Sequence, residues 1–134
     1  MKKAVVLFTL LMVFASCVNK NSTNKQNNGT PIIHFENTTH TFGNLLQGEV
    51  VNHAFVFRNI GNADLLITDV SASCGCTLAK YPEQPIHPGD SGKIEVEFNS
   101  IGREGRQIKT VNVWTNASDE KVTLKFFANI DTSK

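Results

Sequence analysis

The chain has 134 residues, within the usual length of a single domain, and a formal net charge of +1. Setting aside Lys2 and Lys3 leaves 11 Lys+Arg against 12 Asp+Glu, a net of −1. That near-neutral balance, with no block of like charges, excludes the electrostatic footprint of a nucleic-acid binder and of a charged interaction tail.

The first 16 residues read as a secretory signal. Lys2 and Lys3 form a positive start, and Ala4 to Ala15 is an apolar run of 12 residues, interrupted only by Thr9. A bilayer span needs about 20 apolar residues, so the run fits a signal core rather than a transmembrane helix. It ends in Phe14-Ala15-Ser16-Cys17. Small residues directly before a cysteine resemble the lipobox of bacterial lipoproteins, with Phe14 where Leu is usual. That resemblance implies cleavage before Cys17 and lipid attachment to it. It also implies a cell-envelope protein anchored to a bacterial membrane, on its periplasmic side or at the cell surface. Of three cysteines, Cys17 would then carry lipid and leave an even pair, Cys74 and Cys76.

Val18 to Thr30 reads VNKNSTNKQNNGT. So polar a stretch buries too little apolar surface to offset its ordering entropy. Residues 17–30 are expected to be a flexible tether, reaching on the order of 20 Å.

From Pro31 the grammar changes to short alternating runs between turn residues. Ile33 and Phe35 alternate with His34 and Glu36, and Gly43 is expected to stop the next run. A turn follows at Gln47-Gly48. Val51, His53, Phe55 and Phe57 share one strand face. Gly61-Asn62 is a turn signal. In the run Leu65 to Val70, Leu66, Thr68 and Val70 are expected opposite Leu65, Ile67 and Asp69. Pro82 to Gly92 holds three of the four prolines and two glycines and reads as a loop. Ile94, Val96 and Phe98 alternate with Lys93, Glu95 and Glu97, a solvated outer face. Gly102 to Gly105 turns. Ile108 to Thr115 is a strand, with Trp114 read as core or rim. Asn116 to Asp119 turns, and Val122, Leu124, Phe126 and Ala128 line a last strand. No window shows helical spacing. About seven short antiparallel strands over roughly 100 residues predict an all-β, Ig-like sandwich over residues 31–130, with 131–134 as a tail.

Three stretches carry a family resemblance: FGNLLQGE with FVFRNIGNADLLI; SASCGCT; and PIHPGDSGKIEVEF with GRQIKTVNVWTN. Together they resemble the bacterial domain-of-unknown-function family numbered 1573, over nearly the whole domain. The Ser-Cys-Gly-Cys-Thr core and the Pro-Gly-x-Ser-Gly turn, Pro88 to Gly92, make the likeness specific. It implies an Ig-like fold, similar to the domains of abnormal-spindle and hydin proteins, in members that are often exported or lipid-anchored. It implies no reaction.

Cys74-Gly75-Cys76 is the one chemically pointed motif. In an extended strand the two side chains would share a face, with Cα atoms roughly 6.6 Å apart, at the upper end of what a disulfide accepts. Gly75 could draw them closer. Three readings stand open: a structural pair, a thiol–disulfide redox site, or two thiolates holding Cu(I) or Zn²⁺, with His87 as a further ligand. The histidines are otherwise scattered, and His53 reads as a hydrogen-bonded strand-end residue. No phosphate loop, nucleophile elbow or metalloprotease motif is present. The leading expectation is a non-enzymatic envelope lipoprotein. Its domain would bind another envelope protein or a glycan, or serve a structural role. The candidate loop is Tyr81 to Asp90, with Tyr81, His87 and Asp90 as its contact residues.

Overall fold

Phe55, Phe57 and Asn59 point one way from a single strand and are sealed from solvent, while Arg58 between them is exposed. That alternation builds the whole molecule. The computed structural model describes residues 29–133. The signal segment, Cys17 and nearly all of the tether lie outside the described residues.

The described residues form eight strands: β1 (Ile33–Phe35), β2 (Thr39–Leu46), β3 (Val50–Asn59), β4 (Ile67–Ala72), β5 (Thr77–Lys80), β6 (Ser91–Asn99), β7 (Gly105–Thr115) and β8 (Ser118–Asp131). They make two four-stranded sheets, β1-β3-β6-β5 and β2-β8-β7-β4. Strands with one apolar face bury it by closing sheet on sheet, so the described residues form an all-β, Ig-like sandwich. Its core holds Phe35, Phe55, Phe57 and Phe98 from the first sheet against Val111, Val113, Leu124 and Phe126 from the second. The rings of Phe98 and Phe126 meet across it, centroids 5.4 Å apart. Each such side chain contributes about 1.5–3 kcal/mol of burial.

Several local expectations are corrected. The described residues form eight strands where about seven were expected, and not all pair antiparallel: β2 runs parallel to β8. The chain leaves the first sheet after β1 and joins the edge of the second as β2. Gly43 does not stop β2. It takes φ +77° at a register shift after Thr41, and pairing resumes through Leu46. The run from Leu65 does not keep strict alternation either. A register shift between Ile67 and Asp69 lets Val70 turn inward on the same side as buried Ile67. Thr77–Lys80, unassigned from its sequence, is an edge strand on β6.

The Pro-Gly-x-Ser-Gly segment has a physical reason at each glycine. Gly89 adopts φ +87° in the turn, and its N–H donates to the Asn59 carbonyl. Gly92 lies opposite Phe57, and a Cβ there would sit 2.5 Å from Phe57 Cζ. The missing side chain is the space the ring occupies.

Candidate functional site

The cysteine pair sits where the chain crosses from β4, the edge of one sheet, to β5, the edge of the other. Cys74 and Cys76 are not on an extended strand. They lie in a turn that brings their Cα atoms to 5.2 Å, and they are joined by a disulfide. The turn is held from both sheets. Ser73 N–H donates to the Thr110 carbonyl of β7, and Thr110 N–H returns a bond to Ser73 Oγ. On the other side Asn99 N–H of β6 donates to the Cys76 carbonyl, and Thr77 N–H closes the turn onto the Cys74 carbonyl. Both cysteines are half-exposed, but only Cys76 is packed against the core. Disulfide sulfurs carry no proton, so the buried Thr77 hydroxyl is the donor between them. Its Oγ1 lies 3.5 Å from Cys74 Sγ and 4.0 Å from Cys76 Sγ. Closing a three-residue loop restricts the unfolded chain by only about 1.6 kcal/mol.

His87 does not join this pair. β6 runs from the proline-rich loop at Ser91 to the cysteine turn beside Phe98, a separation of about 23 Å at strand rise. His87 Nδ1 instead meets Asp64 Oδ1 at 2.8 Å. That hydrogen bond, then the Asp64 charge, raises the imidazole pKa above its ordinary 6.5. Among the described residues no three His, Cys, Asp or Glu side chains gather as a metal-ligand set.

The proline-rich loop makes a second feature. Tyr81, Pro82 and Ile86 line a groove of about 520 Å³ together with Val56, Lys80, Lys93 and Glu95, and Tyr81 and Ile86 also pack against the core. Lys93 Nζ is 2.7 Å from Glu95 Oε1, and that contact lowers the carboxyl pKa. Of the three loop residues singled out in the sequence, Tyr81 lines the groove. His87 is turned to Asp64, and Asp90 serves the fold through its carbonyl, which accepts Asn59 N–H.

Asn59 organises that end of the sandwich, and its sequence context marked only a turn. Its buried amide donates to the carbonyls of Ala63 (2.7 Å) and Ile86 (2.9 Å) and accepts from Gly61 N–H (3.0 Å) and Ile32 N–H (3.3 Å). The groove wall at Ile86 is thereby tied to the core. Trp114 is half-exposed on the outer side of β7, with Lys121 Nζ 5.8 Å above its ring. His53 stacks its ring on that of His40 rather than making a strand-end hydrogen bond.

Comparison with known proteins agrees with this architecture. A family model described as a protein of unknown function (DUF1573) matches residues 33–130. No curated protein matches the chain. Among solved structures, a protein of unknown function from Porphyromonas gingivalis W83 is similar, with a TM-score of 0.65 and 20% identity over 75% of this chain. The chain spans 47% of that protein. The ASH/PapD-like domain 7 of human CEP192 is similar at TM-score 0.62 and 11% identity, covering 76% of this chain and 87% of that one. The secreted serine protease VesC of Vibrio cholerae is similar at TM-score 0.55 and 14% identity, covering 75% of this chain and 23% of that one. At these identities the likeness shows the fold, which occurs in proteins of different kinds.

Proposed function

The chain belongs to the DUF1573 family, whose proteins are of unknown function, and on that premise we propose that it is a lipid-anchored cell-envelope protein whose Ig-like domain binds an envelope protein or glycan without catalysing a reaction. The observation that carries the binding reading is the groove beside the proline-rich loop. Its lining combines apolar Val56, Tyr81, Pro82 and Ile86 with Lys80, Lys93 and Glu95, and Asn59 holds Ile86 in place. A pre-formed concave surface of this size with a few polar groups is what recognition sites commonly present. Anchoring rests on the segment ending at Cys17, and the polar stretch after it would give the domain reach from the membrane. The test is affinity capture from envelope extract with the tethered domain and with Tyr81→Ala. A partner enriched by the parent and lost with the variant supports the reading, whereas identical captures count against it.

A second reading is favoured by a separate observation. The Cys74–Cys76 disulfide lies in a half-exposed crossover turn rather than beneath the core. It spans too short a loop to be a major global staple. That placement favours thiol–disulfide chemistry at this turn.

A further inference from the structure

We propose that the Cys74–Cys76 disulfide is an exchange site for an exported protein bearing an accessible pair of thiols, and that the Thr77 hydroxyl is its hydrogen-bond donor. This rests on the thiol reading and deepens it. The two sulfurs are not equivalent. Cys76 packs against the core, while Cys74 has no such backing. An incoming thiolate therefore reaches Cys74 Sγ. A client sulfur–Cys74 bond forms as the Cys74–Cys76 bond breaks, and the electron pair leaves on Cys76 Sγ. The client's second thiolate then attacks the client sulfur of the mixed disulfide, and Cys74 Sγ departs as a thiolate. The client loses two electrons and gains a disulfide. Cys74 and Cys76 gain those electrons, and they take up two protons equivalent to those the client thiols gave to solvent.

Each departing sulfur needs a donor, since thiolate leaving ability controls such exchange. Thr77 Oγ1 lies within 4.0 Å of both and can serve them in turn. The burial of Thr77 fixes it in that position. The backbone of the turn is bonded to β7 through Ser73 and to β6 through Cys76. Opening the S–S bond therefore leaves the scaffold in place, and the pair can be reduced without unpairing a strand.

The test uses the oxidised full chain and a reduced synthetic peptide carrying two cysteines, quenched by acid and alkylation and read by mass spectrometry. Peptide oxidation matched one-for-one by loss of the Cys74–Cys76 bond is expected. Thr77→Val should slow it about tenfold, the effect of losing one hydrogen bond to a charged sulfur, and Thr77→Ser should restore it. With an oxidised peptide, the free thiol of Cys76→Ser should form a mixed disulfide faster than that of Cys74→Ser. No peptide oxidation would overturn both the exchange site and the thiol reading. Oxidation at a rate unchanged by Thr77→Val would overturn the donor role alone, and equal reaction of the two single variants would overturn the order of attack.

Discussion

His40 lies flat on His53, with ring centroids 3.6 Å apart and planes 9° from parallel. The two belong to different sheets, His40 to edge strand β2 and His53 to β3. β1 covers β3 only from Phe57 to Asn59, so the stack closes the seam where β3 has lost that neighbour. Phe42 stands edge-on to His40 at 4.6 Å and Phe55 edge-on to His53 at 4.7 Å, joining the stack to the core.

The stack makes stability depend on pH. Burial lowers the His40 pKa below 6.5, and burial followed by the His40 charge lowers that of His53. The unfolded chain thus binds protons first as pH falls below about 6.5. Stability is full above that value and is lost between it and the lower folded pKa values. His87 acts with the opposite sign: its support is present below 6.5 and lost as pH rises through its raised value. Between pH 8 and pH 5, acidification should destabilise His53→Phe less than the parent in melting curves, because the variant keeps a flat ring but not the titration. The same pH response in both would contradict the role given to the stack.

Removing the disulfide should leave the sandwich standing. The double variant Cys74→Ser/Cys76→Ser is expected to lose about 1–2 kcal/mol in denaturant unfolding, as a three-residue loop allows. A loss several times larger would mean that the bond braces the crossover turn far beyond its own span.

Asn59→Ala should be among the most damaging polar substitutions. It strips partners from four backbone groups, the carbonyls of Ala63 and Ile86 and the N–H groups of Gly61 and Ile32. A cost of about 2–4 kcal/mol is expected, with faster amide exchange at Leu65 and Ile86, which bond each other across the loop. A cost near that of an exposed substitution would contradict the assignment.

Gly92→Ala sets a methyl against the Phe57 ring and should cost about 1–3 kcal/mol in unfolding experiments. In a Phe57→Leu background the same glycine substitution should cost less, because the ring is the obstacle.

Much of this fold was legible in the alternation of single strands. Phe55 and Phe57, Ile94 to Phe98, and Leu124 to Ala128 reach the core on the expected faces. What alternation could not carry were breaks in its own period. The register shifts at Thr41–Gly43 and Ile67–Asp69 depend on partners distant in sequence, β8 and β7. Thr77–Lys80 is too short to display a period, and its pairing with β6 comes from tertiary placement. The site was half legible for the same reason. Cys74, Cys76 and Tyr81 stood out by residue type, whereas Thr77, Asn59 and the His40–His53 stack acquire their roles only when strands from separate stretches meet.

A domain that binds through the groove at Tyr81 would hold its partner against that side chain. The most direct measurement is photocrosslinking in intact cells. A photoactivatable residue would replace Tyr81 in one sample and, as control, exposed Asn129 on β8 of the other sheet in a second. A discrete crosslinked envelope component is expected from position 81 and none from position 129. No adduct from position 81, or the same adducts from both positions, would contradict it.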